Sequence, residues 1–258
     1  MTTRPTSLAR RLISTACISP TSVSTTHRGI AFEERSLNIL RNHMSMSLRR
    51  VGGKSDGGID LLGWWWLPST DPSASAKSRH RRIRVIAQCK AEKKKTSPKY
   101  VRELEGVLHR FMPLSSPDGS VDSETTDLFP TSVSPSSQHP LVALLISESP
   151  FTKSTVLRAQ SSPVPFFLLY IPPAQSSTEY EQPLEQDCIG AAVWNPALAG
   201  VRGLLRGDFE TRWERSPSGG GRPGLWWRNQ KLTSWIPEVD SEPRSENNKG
   251  RERNVMTL

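Results

Sequence analysis

A chain of 258 residues, 35% of them hydrophobic and 21 of them proline, is long enough for one full-sized domain but too polar to be ordered throughout. Its net charge of +9 and pI near 9.8 favour polyanionic partners, either nucleic acid or an anionic membrane surface. Cys17, Cys89 and Cys188 are widely separated, which argues against a disulfide framework or structural zinc, and no apolar run reaches the length of about 18 residues that a spanning helix needs.

Residues 1–28 hold Arg4, Arg10, Arg11 and Arg28, many Ser and Thr, and no acid occurs before Glu33. This is the composition of a mitochondrial targeting leader, and Leu8, Leu12 and Ile13 beside Arg10 and Arg11 suit the short amphipathic helix in which import receptors read such segments. Cleavage is expected before Gly29 and delivery to the mitochondrial matrix.

From Gly29 the pattern becomes periodic. Phe32, Ile39 and Met46, widened by Leu37, Leu40 and Met44, predict an amphipathic helix over residues 30–46. A glycine-rich turn from Val51 to Gly58 ends it. Ile59 to Leu67, with Trp64, Trp65 and Trp66, reads as a strand, Ser69 to His80 as a polar loop, and Ile83 to Lys90 as the second strand of an enlarged hairpin. Trp65, or Trp64 and Trp66 together, is expected in the core. Val101, Leu104, Leu108 and Phe111 share a helical face, which predicts a helix over 100–111.

Residues 113–139 contain Asp118, Asp122, Glu124 and Asp127, no Lys or Arg, and many Ser and Pro, the pattern of a disordered insertion. Leu141 to Ser147, Thr152 to Gln160 and Pro165 to Ile171 follow as strand, helix and strand, which implies a parallel pair. Gly190 to Trp194 adds a strand and Pro196 to Leu205 a helix. The organisation expected is a leader at 1–28, a domain at 29–205, a C-terminal extension at 206–236 and a polar tail at 237–258. Helix, hairpin, helix, strand, helix, strand is the order of a three-layer α/β domain around a mixed sheet.

Chemistry gathers on the hairpin. Alternation sends Val85, Ala87 and Cys89 to one face of the second strand and Ile86, Gln88 and Lys90 to the other. Asp60, entering the first strand, comes beside the end of the second. One carboxylate, one amide oxygen and one ammonium then converge. Mg²⁺, or Mn²⁺ in its place, takes hard oxygen ligands, so Asp60 and the Gln88 carbonyl oxygen make a partial site for phosphodiester hydrolysis. Lys90 would orient or activate water and stabilise charge on phosphorus. Glu33 on the first helix is the second carboxylate expected, ahead of Glu34, which lies about 100° round the helix. Lys93, Lys94, Lys95 and Lys99 would hold the phosphate backbone at the mouth of the site. Cys89 is expected to pack as a small hydrophobe.

Gly29, Phe32 and Glu33, then Asp56 to Leu61, then Val85 to Lys90 resemble the Mrr-like branch of the PD-(D/E)xK nuclease superfamily. Leu141 to Ser147, the Pro150, Phe151, Thr152 corner and Phe166 to Tyr170 look like that family's later elements, so the resemblance covers about residues 29–171. The resemblance implies a restriction-endonuclease-like fold and Glu33, Asp60, Gln88 and Lys90 as the catalytic and metal-binding set. Gln88 stands where most of the superfamily has a carboxylate, as Mrr-like members do. More narrowly, the leader, the tryptophan-rich strand, Gln88 to Lys90 and the late Trp194, Asn195 pair look like the fungal mitochondrial family called required for respiratory growth protein seven. Two functions follow as expectations. One is a Mg²⁺-dependent endonuclease acting on DNA, favoured over RNA; the other is a nuclease-fold protein, weak or inactive in catalysis, that binds nucleic acid or supports mitochondrial genome maintenance or expression.

Overall fold

The computed structural model describes residues 24–51, 58–69, 80–111, 139–173, 189–215 and 221–237. The expected leader, apart from residues 24–28, the insertion up to residue 138 and the tail beyond residue 237 lie outside them.

The first helix, α1 (Thr25–Met44), starts earlier than periodicity suggests because Ser24 caps it, its side chain accepting from the His27 N–H at 3.2 Å. Arg28, assigned above to the leader, lies inside this helix and pairs with Glu148 at 2.5 Å. The helix also stops before residue 46. Ser45 turns left-handed (φ 57°), its N–H bonding back to the Leu40 carbonyl, and the chain continues as β1 (Met46–Arg50), a strand the sequence did not announce before the expected turn at Val51.

The anticipated hairpin is present as β2 (Leu61–Pro68) and β3 (His80–Lys90), antiparallel in register from Leu61 with Ala87 to Pro68 with His80. His80 belongs to the strand rather than to the loop. Then come α2 (Pro98–Phe111), β4 (Leu141–Ser147), α3 (Lys153–Gln160, capped by Thr152), β5 (Phe166–Tyr170) and β6 (Ala191–Trp194). The expected helix over 196–205 shrinks to one turn, α4 (Pro196–Ala199). There the chain folds back, the Leu204 and Leu205 N–H groups bonding to the Ala197 and Leu198 carbonyls. Residues 206–236 are not a plain extension: β7 (Phe209–Arg215), β8 (Gly221–Trp227) and β9 (Gln230–Lys231) form a second, antiparallel sheet.

The main sheet runs β1-β2-β3-β4-β5-β6, antiparallel at both edges and parallel across β3, β4 and β5. Helices α2 and α3 serve as the crossovers of that parallel part and cover one face, burying Ile86, Val101, Leu104, Leu108, Leu145 and Phe166. On the other face lie α1 and the small sheet, with Phe32, Ile39, Leu40, Val85, Leu144 and Trp227 in one cluster. The core therefore does not end at Leu205, since Phe209, Leu225 and Leu232 join it. The result is a mixed α/β fold with a six-stranded sheet between layers. Trp65 is fully buried, stacked on Phe167 and edge-on to Phe209. Trp64 and Trp66 are half-buried on the opposite side. No helix among the described residues is long and apolar enough to cross a membrane.

Candidate functional site

The hairpin register pairs Leu61 with Ala87; one step further it sets Asp60 opposite Gln88. Hydrogen bonds fix that step. The Asp60 N–H donates to the Ala87 carbonyl at 3.0 Å, and the Cys89 N–H donates to Asp60 Oδ2 at 2.6 Å. The Asp60 carboxylate is thus held against the backbone of the strand that carries Gln88 and Lys90. Gly58 makes the approach possible: its φ is +87°, and a Cβ there would lie 3.2 Å from Gln88 Nε2.

Gln88 is 5% exposed, and its buried Oε1 accepts no hydrogen bond. An amide oxygen withdrawn from water without a donor costs on the order of 1–3 kcal/mol, so this atom is a cost in search of an electropositive partner. Lys90 lies on the same face as Gln88, and its ammonium sits 4.8 Å from the Tyr100 ring centroid. Lys99 approaches that ring too, at 4.5 Å, and its hydrogen bond to Tyr100 raises its pKa. The Tyr100 hydroxyl in turn bonds to the Glu92 carboxylate, and burial first, then that bond, raises its own pKa.

Glu33 enters differently. It rises from α1, in the layer opposite α2, and Arg50 holds its Oε2 at 2.7 Å. It is nevertheless close to the cluster, because both the Asp60 and the Glu33 carboxylates act on the Cys89 thiol. Burial pushes that thiol well above its usual range, the two carboxylates push it further, and a hydrogen bond with Ser36 and the Lys90 charge partly offset them. Glu34 is exposed. Lys93, Lys94 and Lys95 are exposed in the segment after β3, with Glu92 interrupting the basic run. The structure therefore sets Asp60 across the hairpin from Gln88 with its carboxylate on the Cys89 N–H, places Lys90 on the Gln88 face against Tyr100, and brings Glu33 near the Cys89 thiol with its charge already engaged.

Reading along the sequence missed Tyr100, Glu92 and Arg50. Tyr100 was taken only as the start of an apolar helix face; the pair of lysines that bracket its ring come from different elements, which no local spacing reports. Arg50 fell between the expected helix and turn because β1 was not foreseen.

A first consequence concerns Cys89. Its thiol should resist alkylation by iodoacetamide at pH 8 in the native protein and react once guanidinium unfolds the chain, as read by mass mapping of the peptide that contains it. Native reactivity equal to the unfolded rate would contradict its placement between Asp60 and Glu33. Because the folded-state pKa lies above the ordinary thiol value of 9.0, the thiol's contribution to stability is complete below that pH and declines as pH rises beyond it.

Oxygen donors suited to a hard cation, one buried amide and one lysine at the mouth of a β-hairpin define this class of site within a mixed α/β fold. Among the described residues no group of three or more His, Cys, Asp or Glu stands ready to hold a metal, so Asp60 and Gln88 amount to a partial ligand set. Residues 24–121 match the model of the family described as Required for respiratory growth protein 7, a span running from the cap of α1 through α2 and taking in Glu33, Asp60, Gln88 and Lys90. An uncharacterized mitochondrial protein of Schizosaccharomyces pombe is 34% identical over 94 residues, which is 36% of this chain; the chain covers 34% of that relative's length. No solved structure gives a significant match.

Proposed function

We propose that this protein is a mitochondrial member of the family required for respiratory growth, that its α/β core is of the restriction-endonuclease-like type, and that it hydrolyses phosphodiester bonds in DNA with Mg²⁺ or Mn²⁺. The observation that carries the reading is the Asp60 carboxylate fastened to the Cys89 N–H opposite the unsatisfied Gln88 Oε1. The family match and the mitochondrial relative support the cellular setting, and the basic leader composition agrees with matrix delivery.

The donor set fits a divalent cation of the Mg²⁺ kind, which takes one or two carboxylates and fills its remaining positions with water and substrate phosphate. Asp60 and Gln88 Oε1 would hold it, and when bound it would polarise the phosphoryl group and acidify water. The chain's own groups do the rest. Lys90 donates hydrogen bonds to the attacking water and to the charge that grows on the non-bridging oxygens, while the Tyr100 face keeps the ammonium at that end of β3. Water adds to phosphorus, one P–O bond to a sugar breaks, and the departing oxygen takes up a proton. Lys93, Lys94, Lys95 and Lys99 attract the backbone without reading bases.

The test is nicking of supercoiled plasmid. Purified protein is expected to nick in Mg²⁺ or Mn²⁺, to stop in EDTA, and to lose at least about a hundredfold in rate in Lys90→Ala, the scale of removing one charge-stabilising group. Nicking that persists in EDTA, or at the same rate in Lys90→Ala, would remove the reading.

A second reading has its own observation. Arg50 already neutralises Glu33, which leaves one acid, Asp60, in the ligand set. On this reading the fold binds nucleic acid and supports mitochondrial genome maintenance or expression with little catalysis, and wild-type protein shifts DNA without nicking it.

A further inference from the structure

Strands β1, β2 and β3 contain no Asp or Glu, and their residues pair so that several cations meet on one face. Trp64 lies opposite Arg84, and Trp66 opposite Arg82. The Arg82 and Arg84 guanidinium carbons stand 4.4 and 4.7 Å from the Trp64 ring centroid. Arg49 on β1 belongs to the same face and is felt by Arg84 as a like charge. Next along β3, His80 stacks on Trp235 at 3.7 Å with the rings nearly parallel, and Trp235 is 41% exposed.

Crowded guanidiniums with no acid on their own strands repel one another. Burial first, then Arg49 and Arg82, bring the Arg84 pKa down to about 10. His139 sits edge-on to Trp64 and accepts a hydrogen bond from Arg82 Nε at 3.2 Å, so it is held neutral here, and its pKa is lowered by burial and then by Arg82 and Arg84. Arg49 and Arg82 are both exposed. Stacking on Trp64 limits the freedom of the Arg82 and Arg84 guanidiniums, which lowers the entropic cost of their binding an anion.

We propose that Arg82 and Arg84, ordered on Trp64, together with Arg49 on the same face and continued by Trp235, form a binding surface for the phosphodiester backbone of nucleic acid, separate from the Asp60 site. It rests on the reading of this protein as one that handles nucleic acid and does not require catalysis. Arg84 and Gln88 are four residues apart on β3, roughly 13 Å at the usual rise per residue, so one duplex can meet both ends of the hairpin. An anionic membrane would present similar charge. This face, however, offers a single exposed tryptophan and no amphipathic helix, too little apolar surface to enter a headgroup layer. Cations interleaved with aromatic rings suit a nucleic-acid strand better.

The experiment is fluorescence anisotropy of a labelled DNA duplex in EDTA, with the full chain, across a salt series. In Arg49→Gln/Arg82→Gln, binding should weaken at least about tenfold at low salt, and the slope of log K against log salt should fall by about 2, one for each lost phosphate contact. Arg49→Lys/Arg82→Lys, which keeps the charge, should retain the slope. Both positions are exposed, and matching circular dichroism melts confirm that the variants fold. An unchanged affinity and slope in the glutamine variant overturns the proposal, as does wild-type protein that binds anionic vesicles but no duplex. Duplex binding that depends on these arginines in a protein that never nicks plasmid would sustain this surface while removing the hydrolytic reading.

Discussion

Asp60→Asn is expected to abolish metal-dependent nicking, by about a thousandfold or more, while leaving the fold intact. The substitution separates two roles that the carboxylate combines. Its Oδ2 accepts the Cys89 N–H at 2.6 Å, and an asparagine carbonyl can accept the same bond, so the hairpin entry stays in place. What disappears is the charge. Gln88 supplies an oxygen but no charge, and Glu33 is neutralised by Arg50, so on the proposed hydrolytic reading Asp60 is the acid on which cation affinity would rest. Losing about 4 kcal/mol of transition-state stabilisation corresponds to that thousandfold. Asp60→Ala is a weaker experiment, because an orphaned Cys89 N–H would add a folding cost of roughly 1–3 kcal/mol and confound the result. If the asparagine variant nicks at the wild-type rate with an unchanged Mg²⁺ requirement, the metal site lies elsewhere. If it melts well below wild type, the carboxylate is chiefly a structural clasp.

Much of the main sheet was legible because its signals are local. The alternation from Val85 to Lys90, the continuous apolar run of β4 and the Thr152 cap before α3 each lie within a few residues of the element they specify. That Asp60 enters the hairpin across from the end of β3 was also legible, since a hairpin register follows once two strands and a turn are recognised. What stayed hidden was set at a distance. Helix α1 ends at Met44 although Met46 continues its apolar period, because Ser45 is held by the C-terminal segment: its N–H donates to Ser234 Oγ at 3.2 Å, and its own Oγ accepts the Trp235 N–H at 3.0 Å. No neighbour in sequence announces that stop. Strand β1 was missed for the same reason, its Met46 being read as the end of the helix and residues 47–50 being given no element. Glu33 shows the limit at the site. Its place in α1 could be anticipated; its capture by Arg50 could not, because that partner belongs to the strand that was not foreseen.

Asn195→Ala is expected to destabilise the protein by about 3–5 kcal/mol, the largest effect of any single polar side chain in this fold. Asn195 is 1% exposed. Its Oδ1 accepts from the Phe166 N–H at 2.9 Å and the Leu198 N–H at 3.0 Å, so one atom starts β5 and caps α4 together. Its Nδ2 donates to the Ala159, Ser162 and Val164 carbonyls at 3.2, 3.0 and 2.8 Å. Those carbonyls belong to the end of α3 and the turn that leads into β5; the Ala159 carbonyl also accepts the Ser162 N–H at 3.2 Å. Truncation would leave buried donors and acceptors without partners, at roughly 1–3 kcal/mol for each that water cannot reach, and the sum is held down by partial relaxation. Urea unfolding followed by circular dichroism gives the loss directly. Asn195→Asp then separates the two functions, because aspartate caps helices as well as asparagine does but turns carboxylate lone pairs toward three carbonyl oxygens. If capping dominated, the aspartate variant would recover near wild-type stability. The geometry requires instead that it be as unstable as alanine at neutral pH, since donation to the α3 to β5 turn is what joins that layer to the sheet.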